Sequence, residues 1–482
     1  MRKFYTLVFS LSFLFFFTFV LDAAQKKGKK QTEQNQGQTF LYEVDEGFAG
    51  IMGVREAITG DLDIPDRIDG YPVGAILKGA FANQGRLTGV RIPDTVFFIQ
   101  EEAFLNCPKL QNLTIPKSVK QIGPKAFENC RSIESVELSG ILYKVEGNAF
   151  AGCGKLNSVV ISGLVERIES AFYNCPNLRS VVISGSVGEM DGTFQNCTSL
   201  EEIDISGSIT TIQSDAFRGC TSLKSITLPD SVAWIGDRAF EGCALFESIE
   251  IPAFVRGIGK RAFQGCASLT SVTIPSSVEQ IGENAFSDCR SLSTLAIPDS
   301  VIAIGNSVCS DCTSLENVKY SNSVKEINYR AFQGCTSLKS FTIPDTVIGV
   351  YNGAFENCTS LESVVIPDSV IGIGDDAFRN CVSMKSVTIP DSVIGIGSGA
   401  FSNCTSLSAI TIPHTVTEIG GSAFRNCTSL ESAIIPFSVT IIGGGVFENC
   451  LKLTIYGVEG STAEEYAENN HIPFQAGEPE PH

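Results

Sequence analysis

Apolar residues return to fixed places every 23 residues along most of this chain. The stretch from Ile366 reads IPDSVIGIGDDAFRNCVSMKSV, and from Ile389 it reads IPDSVIGIGSGAFSNCTSLSAI. Aligned on the Phe of an Ala-Phe pair, the pattern occurs 17 times, from Phe81 to Phe447, with Cys309 in the Phe place once. The step is 23 except at Phe150 to Phe172 and Phe172 to Phe194, where it is 22. The consensus is A-F-x-N-C-T-S-L-x-S-V-x-I-P-D-S-V-x-x-I-G-x-x. A short fixed period means a solenoid: each unit is one coil that cannot bury its own apolar face, so its neighbours bury it.

The elements follow from residue chemistry. L-x-S-V-x-I, as in Ser386-Val387-Thr388-Ile389, alternates β-branched residues at period two, which predicts a short strand. Pro ends that strand in 11 copies and Ser in five; Pro cannot donate to a ladder and holds the preceding residue extended. V-x-x-I-G predicts a second short extended stretch. A-F-x-N-C fits one tight helical turn, too short for a stable α-helix. The residue before the repeated Cys is always Asn, Gly or Asp, the types that tolerate positive φ. We therefore expect a left-handed backbone position there. The fold class is thus a β-rich solenoid of about 17 coils of 23 residues, with short strands and single helical turns, capped at both ends. Seventeen coils stacked at strand spacing would extend for about 80 Å.

Sixteen of the 17 cysteines fall three residues after the Phe place. On stacked coils their Cβ atoms would lie about 4.8 Å apart and parallel, whereas a disulfide needs them about 3.8 Å apart and facing. The column reads as buried free thiols. Phe355, Phe378 and Phe401 with Cys358, Cys381 and Cys404 represent this inward ladder. Cys309 and Cys312 form a C-x-x-C, open to two readings: a local disulfide, or a ladder thiol beside a thiol that replaces the inward Phe.

The flanks differ from the repeat, as exposed solenoid ends require. Residues 1–24 read as a signal peptide: a basic start, an apolar run from Phe4 to Val20 and small residues at Ala23-Ala24. An uncleaved anchor is the rival reading. Residues 25–39 form a polar linker, 40–75 an N-terminal cap with hairpin turns at Glu46-Gly47 and Asp69-Gly70, 76–453 the solenoid, 454–475 a C-terminal cap and 476–482 a tail. In the second cap Ser461, Thr462 and Glu464 predict a helix start. The helix runs to about Asn470, and His471 to Phe474 reads as a final strand.

Charge and composition narrow the partners. The net charge is −18, which argues against nucleic acid and anionic membranes. No integral membrane segment is expected in the mature chain. The three His are scattered, no catalytic constellation is evident, and no metal, cofactor or enzymatic activity is expected. Asp345, Asp368 and Asp391 on consecutive coils raise a calcium ladder against a simpler turn role, since Asp after Pro favours turns.

Two surfaces compete as ligand faces. The strand face offers a charge column through Lys224, Glu247, Lys339, Glu362 and Lys385. Ser340, Ser363 and Ser386 run beside it, followed by Thr342 and Thr388. The other surface depends on where Ile302, Ile348, Ile371 and Ile394 point. Outward they form an apolar contact stripe, interrupted by Lys325; inward they pack the coil corner. Phe98 and Trp234 stand at the neighbouring position as single anchors.

The consensus L-x-S-V-x-I-P-x-S-V-x-x-I-G-x-x-A-F-x-x-C resembles the BspA-like (treponemal-type) leucine-rich repeat family, over roughly Thr39 to Gln475. The flanks ITG…IPDRIDGYPV and GSTAEEYAENNHIPF are similar to that family's caps. The resemblance implies a bacterial protein displayed on or released from the surface, binding host extracellular matrix or other cells through protein or glycan ligands. A periplasmic or envelope scaffold without adhesive function is the alternative. Location among surface, medium and periplasm stays open.

Overall fold

The structure is a computed structural model that describes residues 30–35 and 37–477. The signal peptide expected over 1–24, residues 25–29 of the linker and residues 478–482 of the tail lie outside the described residues. Two compact units meet in sequence at Cys175 and Pro176, and each is described by itself.

Both units are built from coils of the kind the pattern predicts. In the second unit Ser363–Val365 forms the first short strand and Gly372–Ile373 the second. Each pairs in parallel with its equivalents one repeat away: Ser340 with Ser363, and Gly349 with Gly372. The ladder loosens at Ser386–Ile389, which carries no strand; backbone bonds beside it lengthen to 3.4 Å (Lys385 N–H to Glu362 O) and 3.3 Å (Ser408 N–H to Lys385 O). Between the strands, Pro-Asp-Ser-Val closes a turn: Val370 N–H donates to Pro367 O at 3.1 Å. The Ala-Phe segment is a run of turns closed by bonds three residues back, such as Cys358 N–H to Phe355 O at 3.1 Å.

The core lies along the inward columns. Phe355, Phe378, Phe401 and Phe424 stack with ring centroids 5.3 Å apart and planes within 10°. In the first unit Phe104, Phe127 and Phe150 stack at 5.1 Å. Such burial stabilises each Phe by about 1.5–3 kcal/mol, and the repetition multiplies it. Where Cys309 interrupts the stack, Tyr320 and Phe341 stand where other coils carry aliphatics, packing 5.7 Å and 5.0 Å from Phe332. Their rings restore volume that the missing Phe would leave empty.

All 17 cysteines are free and buried, Cys309 and Cys312 among them. Each ladder thiol has a specific task. The Cys381 Sγ donates to Phe355 O at 3.3 Å and the Cys404 Sγ to Phe378 O at 3.3 Å. That carbonyl already accepts the Cys N–H of its own coil, so the thiol engages its second lone pair. Burial pushes the Cys381 thiol well up, and brings Cys243 and Cys404 to about 12.

The residue before each ladder cysteine has positive φ in all 16 copies, from Asn106 (57°) to Asn449 (66°). Where that residue is Asn, the side chains also join into a ladder, as in Asn403 Nδ2 to Asn380 Oδ1 at 2.7 Å and Asn426 Nδ2 to Asn403 Oδ1 at 2.7 Å. A second left-handed position, two residues before the Phe place, recurs in every coil, for example Lys125 (57°), Arg261 (57°) and Gly399 (65°). Its residue types vary too widely for composition to reveal it.

The solenoid has about 19 turns in the described residues, against the 17 counted from Ala-Phe pairs. The caps account for the difference, since they extend the stack without the Phe signature: Phe48–Val54 and Gly60–Asp63 pair in parallel with the first repeat, and Thr454–Gly457 and Phe474–Ala476 do so after the last. The hairpins at Glu46-Gly47 and Asp69-Gly70 form with positive φ at both turn residues. The polar stretch expected as linker contains a strand, Gln31–Asn35, paired antiparallel with Gln38–Asp45. The final strand is Phe474–Ala476 rather than His471 to Phe474. The helix Thr462–Asn469 ends in a Schellman arrangement: His471 (φ 58°) donates to Glu468 O at 3.2 Å and Ile472 to Ala467 O at 2.9 Å. This termination uses the residues expected to open the strand. At its start Ser461 accepts from Glu464 N–H, and Gly460 N–H donates to Glu464 Oε2 at 2.6 Å.

Candidate functional site: the outward columns

The coil path decides which side chains reach solvent. Inward positions repeat because the core demands one size; outward positions are free to carry recognition. On the strand face Lys224, Glu247, Lys339, Glu362, Lys385, Ser340, Ser363, Ser386, Thr342 and Thr388 are all exposed. The charge column partly satisfies itself. Lys385 Nζ lies 2.8 Å from Glu362 Oε2, and this hydrogen bond together with the charge of Lys385 holds the Glu362 carboxyl below its usual value. An exposed pair of this kind contributes little to stability.

The other surface resolves the open question about the isoleucines. Ile302, Ile348, Ile371 and Ile394 are 63%, 46%, 52% and 60% exposed. The inward partners at this corner are Val347, Val370 and Val393, each fully buried. The next residues, Gly349, Gly372 and Gly395, pair in the second ladder. A Cβ on Gly372 or Gly395 would meet nothing within 4 Å. The corner over three consecutive coils is therefore an apolar ridge beside an open trough.

Trp234 is 38% exposed, and its ring covers Gly257 of the following coil: a Cβ there would sit 2.2 Å from the indole Cζ3. Phe98 is half-buried in the first unit. Asp345, Asp368 and Asp391 are exposed in their turns. Among the described residues no group of three or more His, Cys, Asp or Glu is placed to hold a metal ion.

Further surface features escaped the pattern. Phe254 and Phe437 are 66% and 67% exposed; they stand where the consensus has the Ser and the Asp of Pro-Asp-Ser. A bulky apolar residue at an outward turn position was the available signal. In the first unit a concavity is lined by Asn35, Gln38, Asp61, Asp63, Arg91 and Asn112. It forms because the N-terminal hairpin stands beside the first strand ladder, a juxtaposition no local sequence shows. Among the described residues no helix is long and apolar enough to cross a membrane.

Comparison with a solved structure agrees with this architecture. A crystallised leucine-rich repeat protein from Bacteroides ovatus is 26% identical, with a TM-score of 0.50, covering 92% of this chain and 100% of its own. A leucine rich cell surface protein from Faecalibacterium prausnitzii is 27% identical, with a TM-score of 0.42, covering 75% of this chain and 95% of its own. No curated relative matches the chain. The model of the BspA type leucine rich repeat region matches residues 74–193, 190–256, 235–361 and 349–465. The repeat, the stacked Phe and Cys columns and this match together place the chain in the BspA-type leucine-rich repeat family.

Proposed function

We propose that this protein is an exported binding scaffold, displayed on the cell or released from it. Its outward columns attach to a protein or glycan partner such as host matrix or the surface of another cell. The observation that carries this reading is the contrast between inward columns held by the core to Phe, Cys, Leu and Val or Ile with few exceptions and outward columns, such as that of Glu247, Lys339, Glu362 and Lys385, that the core does not constrain. Family membership supports binding as the general role, and the basic-then-apolar start of the chain supports export. The strand face, rich in hydroxyls and alternating charge, and the isoleucine corner are the two surfaces offered to partners.

The test has two arms. Protease treatment of intact cells should remove the protein, and an array of matrix proteins, glycans and partner cells should capture the purified chain. A protein protected from protease, with no capture on the array, would favour the envelope-scaffold reading instead.

A further inference from the structure

The isoleucine corner of the second unit has a composition that specifies what covers it. Ile348, Ile371 and Ile394 stand on consecutive coils and are about half exposed or more. Beside them runs the trough of Gly349, Gly372 and Gly395. Its upper end is closed by Tyr351, whose Cε2 would lie 3.7 Å from a Cβ on Gly349 and whose hydroxyl donates to Glu326 Oε1 at 2.9 Å. The rest is uncovered. At the equivalent place upstream, Gly257 is covered by the ring of Trp234. The molecule thus shows in one coil that an aromatic ring seats over a glycine of this row, and leaves Gly372 and Gly395 without one.

The Pro-Asp flank of the ridge carries charge of one sign, while the exposed Lys325 ends the ridge upstream of Ile348. Asp345, Asp368 and Asp391 each stand three residues before an isoleucine of the ridge, in turns closed by Val N–H to Pro O bonds of 3.0–3.1 Å. All three are exposed, and none takes part in an ion pair among the described residues. Some acidic side chains elsewhere on this unit are matched, as Glu362 is by Lys385 and Glu448 by Arg425. An apolar ridge bordered by unmatched carboxylates, on a chain of net charge −18, selects an occupant that is apolar at its centre and basic at its edge.

We infer that this corner docks a basic amphipathic α-helix of a partner protein, with apolar side chains on Ile348, Ile371 and Ile394 and Lys or Arg facing Asp345, Asp368 and Asp391. Geometry favours a helix over a strand. Coils repeat at about 4.8 Å and a helix advances 5.4 Å per turn, so one apolar row stays in step with three coils to within about 1 Å. Same-face side chains of a strand recur at about 6.6–6.8 Å and lose register after one coil. An aromatic side chain on such a helix has the uncovered trough as its seat. The inference deepens the binding reading above and rests on it only in taking the outward surface as the binding element. It does not depend on where the protein is displayed.

The test uses the full chain and three labelled 18-residue peptides, read by fluorescence anisotropy. One is a Leu/Lys amphipathic helix with a single Phe on its apolar face, one has the same composition scrambled to remove that face, and one is the Leu/Glu counterpart. Only the Leu/Lys helix should bind. Ile371→Lys with Ile394→Lys should weaken it at least tenfold, at an unchanged circular-dichroism spectrum and unfolding midpoint. Asp368→Asn with Asp391→Asn should weaken it severalfold and flatten its salt dependence, while Glu362→Gln should leave it unchanged. If the lysine pair disturbs folding, Gly372→Gln with Gly395→Gln fills the trough instead and should give the same loss. Equal binding of the scrambled peptide, tighter binding of the Leu/Glu helix, or full affinity in a folded corner variant overturns the inference. Capture on the matrix and glycan array alongside peptide failure would overturn this inference alone and leave the general binding reading standing.

Discussion

Coils that turn through Ser-Gly and coils that turn through Pro-Asp solve the same closure problem differently. In the first unit Ser139-Gly140 and Ser162-Gly163 make no Pro-to-Val turn. The chain passes straight into long second strands, Ile141–Val145 and Leu164–Glu169. Ser162 N–H and Gly163 N–H both donate to Leu138 O, at 3.1 and 3.0 Å. The backbones approach so closely that a Cβ on Gly163 would lie 2.0 Å from Gly140 O. In the Pro-Asp coils the second strand shrinks to two residues, as in Gly372–Ile373. The outward positions diverge accordingly. Lys144 and Arg167, paired in register, are locked with Glu146 and Glu169 in ion pairs of 3.2–3.5 Å; the same column in the second unit reads Gly349, Gly372 and Gly395 beside exposed isoleucines. One scaffold therefore fills this column with ion-paired charges in one set of coils, beside exposed Ile141 and Leu164, and leaves it unsatisfied, as glycines beside exposed isoleucines, in another. The unsatisfied surface is where a partner gains most.

The largest predicted effect tests what both kinds of coil share. A thiol whose folded pKa is raised from 9.0 contributes its full stability below pH 9 and loses it as pH rises toward the folded value. Cys175 and Cys243 are each pushed up to about 12 by burial. Between pH 9 and 12 the unfolded state sheds those protons while the folded state keeps them. Each such thiol should then remove roughly 1.4 kcal/mol per pH unit. Urea unfolding across that window should show a steep collapse of stability, and a flat profile would contradict a continuous buried thiol column. At pH 7 the same thiols should resist a thiol-specific reagent until the chain unfolds.

Next in size is Gly163→Ala, which should cost about 3–4 kcal/mol because backbone faces backbone there. Gly372→Ala, with open space, should stay within about 0.5 kcal/mol. Denaturant midpoints of the two variants measure the contrast directly. Ser162→Pro removes a ladder donor and should cost about 3 kcal/mol. Ser321→Pro places Pro where most coils already have it, losing the Ser321 hydroxyl bond to Val301 O and the one it accepts from Ser323 N–H; it should cost about 1–2 kcal/mol, less than Ser162→Pro. Comparable losses in both would erase the distinction between the coil types. Smallest is Arg167→Ala, at about 0.5 kcal/mol or below, since its pair with Glu169 is exposed. That outcome, seen by thermal unfolding at low and high salt, would mark the ion pairs as surface character rather than structural support.

Much of this was legible from single residues. Period, inward Phe and Cys columns and the left-handed Asn, Gly or Asp each follow from a residue type that only one environment suits. The strand in Gln31–Asn35 was not legible, because its polar sequence has no alternation and it gains order by pairing with Gln38–Asp45. His471 belongs to the helix terminus rather than to the expected strand, because its place there depends on its bond to Glu468 and on Ile472 reaching Ala467, which local sequence does not show.

The sequence by itself determined the coil: a 23-residue period whose apolar positions have meaning only when copies stack, because no single copy closes a core. Tertiary structure alone decided which side of each corner faces water. Val370 and Ile371 are neighbours of similar hydrophobicity, and no local propensity separates them. The turn closed by Pro367 sends one into the stack and leaves the other outside it.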